Sequence, residues 1–130
     1  MTEGIEAITQ ASLSLALDAA TLRHQTIANN IANAGTEGFV PQRLGFSSQM
    51  QEARRQLDEG RRIDARQLAA MAEAGFRLKP VSAGNGLPAR VQLDSEVAQM
   101  AQNAVHYQAL LKGLSRHMAI LSTAVSDGKR

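Results

Sequence analysis

The histidines are the residues of this sequence best suited to ligate a metal ion or to transfer a proton near neutral pH. They are His24, His106 and His117, far apart along the chain, and none belongs to an H-E-x-x-H motif. His24 falls on an apolar stripe and His117 borders another, which favours packing or solvent contact over metal ligation. Cysteine is absent, which excludes thiolate metal sites and disulfides. We therefore expect neither a metal nor a cofactor.

Two further patterns that carry chemistry in other proteins have ordinary explanations here. Gly84-Asn85-Gly86 signals a turn, because a phosphate-binding loop needs a strand before it and a helix after it. No G-x-S-x-G nucleophile motif occurs. A run of basic residues contains Arg54, Arg55, Arg61, Arg62 and Arg66. Its charge is offset by the acidic residues Glu52, Asp58, Glu59 and Asp64. With a net charge of +2, a solvated helix face is favoured over a nucleic-acid site, and no catalytic residue is expected.

An unusual concentration of asparagine lies in "HQTIANNIANAGTEGFVPQR", where Asn29, Asn30 and Asn33 interrupt what otherwise reads as a helix. Asparagine is a poor helix former because its side chain competes for nearby backbone groups. Its amide can instead satisfy carbonyls that a helix end leaves unpaired. Gly35 and Gly38 follow and would permit a sharp exit. The plain interpretation is a polar helix C-terminus that ends at glycine.

The segment before the asparagines predicts a long helix with two apolar faces. One stripe at helical spacing contains Ile5, Ile8, Leu15 and Leu22, and the other contains Leu13, Leu17, Ala20, Ile27 and Ile31. On a helix of about 3.6 residues per turn, Leu15 lies about 200° from Leu13 and Leu17. The two stripes therefore face opposite sides, and each needs a partner.

The C-terminal segment predicts a second long helix. Asp94 is placed as its N-cap and Glu96 in its first turn. A C-terminal seam then recurs at alternating steps of four and three through Met100, Ala104, Tyr107, Leu111, Leu114, Met118, Leu121 and Val125. This spacing is typical of helices that pair along their length.

The middle of the chain is polar and differs from both ends. We expect short helices at 48–59 and 64–74, ended by Gly60 and Gly75. Strand-like alternation at Phe76 and Leu78, and again at Val91 and Leu93, flanks "SAGNGLP" and predicts a β-hairpin. The predicted fold is therefore mainly α: one domain, 1–130, with a helix in 1–35, an irregular polar insert in 36–90 and a helix in 91–130, the two long helices forming a coiled-coil-like bundle.

This layout predicts assembly. Two long helices cannot bury four sides against each other, and the insert holds too few apolar residues to cover the remainder. Exposed apolar surface of that size would aggregate unless other chains covered it. No apolar run approaches the roughly 18 residues of a membrane span. Glu3 and Glu6 occupy the place where a secretory signal peptide has a basic region, so we expect no cleavable signal.

The sequence resembles the axial proteins of the bacterial flagellar rod and hook. "ANNIANAGTEGF", residues 28–39, resembles the motif that marks the end of their N-terminal helix, with Glu37 where the family usually has proline. "VQLDSEVAQMAQNAVHYQALLKGLSRHMAIL", residues 91–121, is similar to the C-terminal helix of the short proximal-rod members. The two motifs together cover about half of the chain.

The resemblance implies a structural subunit with no enzymatic activity, located in the periplasmic rod of the basal body and exported by the flagellar type III route. Its implied partners are copies of itself, other rod proteins, and the membrane-ring and export-gate proteins at the rod base. The implied assembly motif contains Asn29, Asn30, Ile31, Asn33, Ala34, Gly35, Gly38 and Phe39. The implied assembly seam contains Leu13, Leu17, Ile27, Met100, Asn103, Tyr107, Gln108, Leu111, Leu114, Met118 and Leu121. The alternative is a cytoplasmic helical adaptor or a nucleic-acid-binding coiled coil.

Overall fold

The computed structural model describes residues 2–45 and 48–128. Two long helices stand at either end of the chain with a smaller insert between them in sequence, as predicted. Most of the described chain is helical. The elements, in chain order, are α1 (Thr2–Ala32), β1 (Gln42–Gly45), α2 (Ser48–Asp58), α3 (Ala65–Ala74), β2 (Arg77–Pro80) and α4 (Leu93–Gly128).

Helices α1 and α4 pack together in an antiparallel pair. Asn30, at the end of α1, contacts Glu96, at the start of α4. Near the middle of the pair, a side chain built on Gly113 would come within 3.7 Å of Leu13. At about 1.5 Å per residue the two helices extend roughly 46 and 54 Å. The predicted pairing of the terminal helices is confirmed.

Burial along α4 corrects the predicted C-terminal seam. The more buried row contains Glu96, Met100, Asn103, Tyr107, Leu110, Leu114, His117 and Leu121. Leu111 is 41% exposed and Met118 is 48% exposed, and Gln108 is also exposed. The face of α4 that contacts α1 is therefore rotated by about 50° around the helix from the predicted seam, which is half the angle between successive residues. The count of apolar residues placed Leu111 and Met118 in the predicted seam. In the structure, polar side chains determine which row of α4 packs against α1.

The insert packs on the apolar stripe of α1 that contains Ile8 and Leu15, contrary to the expectation that it holds too few apolar residues to do so. Ala53 of α2 forms a buried cluster with Leu68 and Met71 of α3, and Ile8 and Leu15 of α1 pack against it. Small side chains let two short helices reach α1 with few large residues. The cluster shows that counting large apolar residues underestimates what a helical insert can cover.

Both short helices lie where the sequence predicted them. Asp64 caps α3 through a capping box, in which its side chain accepts from the Gln67 N–H at 2.7 Å and its own N–H donates to the Gln67 side chain at 3.0 Å. On α2, Arg55 forms ion pairs with Glu52 and Glu59 at 2.6 and 2.7 Å. The hydrogen bond from Arg55 holds the pKa of Glu52 below its usual value. These exposed pairs confirm a solvated helix face at Arg55.

The strands form a two-stranded antiparallel sheet that pairs Gln42 with Pro80 and Gly45 with Arg77. An antiparallel strand pair is therefore present in the insert, with α2 and α3 between its strands in sequence, but the predicted partner strand at Val91 and Leu93 is wrong. Leu93 begins α4, and β1 takes the place beside β2. The predicted "SAGNGLP" turn is confirmed by the bridge between Ser82 and Pro88.

The surface of the chain is large for its mass. It exposes 9348 Å² at 13.9 kDa, whereas a compact monomer of that mass exposes about 6,700 Å². Within the described residues, no helix has the length and apolar character needed to cross a membrane. The excess follows from the shape, since two long helices with small attachments enclose little volume.

Candidate functional site

The end of α1 is closed by its own asparagines. The side-chain amide of Asn33 donates to the Asn29 carbonyl at 2.8 Å and to the Asn29 side-chain oxygen at 3.1 Å. The backbone N–H of Asn33 reaches the same carbonyl at 3.1 Å. The Asn33 side chain therefore adds a second hydrogen bond to a carbonyl that already accepts a backbone N–H, rather than satisfying one that the last turn of the helix leaves without a partner.

The exit from α1 depends on one of the two expected glycines. The Thr36 N–H donates to the Asn33 carbonyl at 3.0 Å, and the Phe39 N–H donates to the Thr36 carbonyl at 3.2 Å. Gly38 has φ 78°, a conformation that residues with a Cβ rarely adopt. Gly35 is not among the glycines with positive φ, and a side chain there would meet open space. Of these two glycines, only Gly38 has a backbone conformation that favours glycine.

Asn30 is fully buried, at 0% exposure, and holds β1 against α1. Its amide nitrogen donates to the Gln42 carbonyl at 2.9 Å, and its oxygen accepts from the Gln42 N–H at 3.0 Å. One side chain thus reproduces the paired hydrogen bonds that a neighbouring strand would give to Gln42. The first residue of β1 is fixed in position by an amide twelve residues earlier.

The same asparagine reaches a buried carboxylate. Its amide nitrogen donates to Glu96 at 3.2 Å, and Glu96 is 1% exposed. The other carboxylate oxygen accepts from Arg43 of β1, with which Glu96 forms an ion pair. A buried charge is tolerable only when it is paired and hydrogen-bonded. Asn30, Arg43 and Glu96, which we call the polar clamp, join α1, β1 and α4 at one point.

Asn103 makes a second polar link between the long helices. Its amide nitrogen donates to the Ala20 carbonyl at 2.8 Å, and its oxygen accepts from Arg23 at 3.4 Å. Ala20 is completely buried, since its small side chain lets α4 come close. Asn103 therefore fixes how α4 is aligned along α1.

Comparison with known proteins points to the same end of α1. A family described as "Flagella basal body rod protein" matches residues 12–39, from the middle of α1 through Gly38. The chain is also similar to the flagellar basal body rod protein FlgB of Bacillus subtilis. It is 28% identical to that protein over 124 residues, which cover 91% of this chain and 93% of the relative. By both comparisons the chain is similar to flagellar basal body rod proteins.

The rod-protein match includes the asparagines and Gly38, so the family signature coincides with the polar helix end. The similarity to the Bacillus subtilis protein also runs through the insert, beyond the two termini that carried the resemblance in the sequence. The polar groups of the clamp are occupied by one another and by backbone. The arrangement therefore holds protein segments in place.

The structure brings some predicted rod-protein residues together and leaves others apart. Ile27 is buried, Ile31 and Phe39 are half-buried, and Asn29 and Ala34 are exposed. Leu13 and Leu17 are half-buried on α1. Among the described residues, no group of three histidine or acidic side chains could hold a metal ion.

Sequence reasoning missed Glu96, Arg43 and Gln42. Glu96 lies in the first turn of α4, as predicted, but Asp94 is not the N-cap, because the helix begins at Leu93. The Asp94 side chain accepts from the adjacent Ser95 N–H at 2.9 Å. A signal was present, because Glu96 stands at seam spacing from Met100 and Asn103. A carboxylate in a buried row requires a buried partner.

Proposed function

We propose that this chain is a structural subunit of the flagellar rod that assembles with copies of itself and with other rod proteins, in the proximal rod around the export channel. The similarity to FlgB along nearly the whole chain supports this assignment. The fold agrees with a structural role, since its polar residues join segments of protein to one another.

The observation that carries the assembly role is the excess surface. The chain exposes about 2,700 Å² more than a compact monomer of its mass. A standard protein interface covers about 800 Å² on each partner. The excess is therefore large enough for about three such interfaces on every subunit, as a subunit surrounded by others in a rod requires.

The proposal includes neighbours and a route. Membrane-ring and export-gate proteins would contact the subunit at the rod base, and the flagellar type III system would export it without cleaving a signal peptide. It would reside in the periplasmic part of the basal body. The exposed assembly motif around Asn29 and Ala34, and the exposed side chains of Gln108, Leu111 and Met118, would contact neighbouring subunits.

The test is the composition of isolated basal bodies. Cells that lack the chain should be non-motile and have no complete rod, and a tagged copy should restore motility and appear in rod density by electron cryo-microscopy. Complete rods in the deletion strain would overturn the proposal. The alternative, a nucleic-acid-binding coiled coil, predicts a steep loss of DNA affinity with added salt. The ion pairs of Arg55 with acidic neighbours do not favour it.

A further inference from the structure

Helix α4 carries most of the exposed apolar surface among the described residues. Of the ten large hydrophobic side chains that are exposed among the described residues, seven lie on α4 and none lies on α1. Four of the seven recur on one line that runs from Val97 to Val125 in alternating steps of four and three. We call this line the outer row of α4; its large members are Val97, Leu111, Met118 and Val125. Small residues such as Ala104 and Ser115 stand between them.

Helix α1 has a matching line with the opposite character. Every residue reached from Ala7 to Ala32 in alternating steps of four and three positions is exposed. We call this line of residues the outer row of α1. They are alanine, serine, threonine, glutamine and one aspartate, Asp18. This row lies about 100° or more around α1 from the faces that meet α4 and α3. It is a third side of the helix, flat and free of large side chains.

The two outer rows fit each other in shape. Helices pack closely when large side chains of one enter spaces between small side chains of the other. The outer row of α4 supplies Leu111, Met118 and Val125 at intervals of seven residues. The outer row of α1 supplies positions such as Ala11 and Ser14, where nothing blocks such side chains.

The charges also favour packing of α4 on α1 of another subunit over packing of two α4 helices through their outer rows. From Val97 to Ser126 the formal charges on α4 are Lys112 and Arg116, which follow the outer-row residues Leu111 and Ser115 in sequence. Two such rows packed together would bring these cations near each other, and like charges disfavour an interface. The outer row of α1 offers Asp18 instead, a carboxylate that can pair with them.

We propose that the outer row of α4 in one subunit packs on the outer row of α1 in a second copy of this chain, with Asp18 facing Lys112 and Arg116. This inference rests on the proposed rod function and names the surfaces by which it would be achieved. The two surfaces differ, so each subunit keeps one of each free after pairing. Such a head-to-tail contact repeats without a natural end and generates rings or helical filaments.

A charge exchange tests the pairing in the purified full-length chain. Asp18→Lys alone, and Lys112→Glu with Arg116→Glu, should each weaken self-association at least roughly tenfold in sedimentation velocity. The three substitutions together should restore it. All three positions are exposed, so circular dichroism should show unchanged folding. Unchanged association in the single-sided variants, no recovery in the combined variant, or a wild-type chain that remains monomeric would overturn the proposal.

Cysteine cross-linking identifies the surfaces directly, because the natural sequence has no cysteine. Ser14→Cys protein is mixed with protein carrying one cysteine on α4, at Gln108, Ser115 or Ser122 in turn. Mixed disulfide dimers should form with at least one α4 position, and Ala69→Cys on exposed α3 is the control. Dimers only between identical variants would overturn the pairing. Whether the chain is present in basal bodies is measured separately. If it is present there but the charge exchange and the cross-linking both fail, the pairing of the outer rows is refuted and the rod function is not.

Discussion

Replacing Asn30 should be among the most damaging single changes in the chain. Asn30→Ala removes three hydrogen bonds at 2.9, 3.0 and 3.2 Å from a side chain that is fully buried. The two bonds to the Gln42 backbone contribute about 1 kcal/mol each, and the bond to the Glu96 carboxylate about 1.5 to 3 kcal/mol. The free energy of unfolding should therefore fall by about 3 to 5 kcal/mol.

The neighbouring residue supplies the control. Asn29→Ala changes the same residue type one position earlier, on the exposed side of α1, and should cost about 0.5 kcal/mol or less. Urea unfolding of both variants and the wild type, followed by far-ultraviolet circular dichroism, gives the comparison. If the two variants unfold with midpoints that agree within error, Asn30 does not organise this end of the molecule and the reasoning from burial is refuted.

Three further pairs of outcomes follow from the structure. Leu110→Ala should lower the free energy of unfolding by about 2 kcal/mol because Leu110 is half-buried, whereas Leu111→Ala should leave it unchanged and impair assembly; urea melts and sedimentation separate the two. Gly38→Ala should cost about 1 to 2 kcal/mol from its positive φ, while thermal melts of Gly35→Ala should match the wild type. Asn103→Leu should keep the stability within about 1.5 kcal/mol but broaden spin-label distances between α1 and α4, since the register loses its polar anchor; an unchanged narrow distribution would contradict that role.

The long helices could be predicted from sequence because their signal is local and repeated. Steps of three and four residues persist over about seven turns of α4, and a single misplaced residue does not hide them. The short helices were recognisable for a similar reason, since Asp64 and Gln67 stand at capping-box spacing and Gly75 ends the helix. Each of these signals lies within a few residues of the structure it specifies.

The polar clamp could not be predicted in the same way. Its members come from 30, 43 and 96 in the sequence, and no local pattern states that they meet. Glu96 resembles an ordinary first-turn carboxylate until the alignment of α4 along α1 is known. The pairing of β1 with β2 was missed for the same reason, because a turn placed between 78 and 91 offered a nearer partner than the strand at 42–45.

The positions of the polar links explain why α4 presents the row it does. Two heptad-spaced rows lie side by side on α4, and the outer one is at least as apolar as the one that packs on α1. Apolar contact alone would therefore not decide between them, because burial of Leu111 or Leu110 gains similar free energy. Glu96 and Asn103 belong to the inner row, and their partners are fixed on α1 and β1. Turning α4 by one residue would leave a carboxylate without its pair, at a cost of about 3 to 5 kcal/mol. The polar side chains thereby keep the apolar outer row facing outward, where a neighbouring subunit can use it.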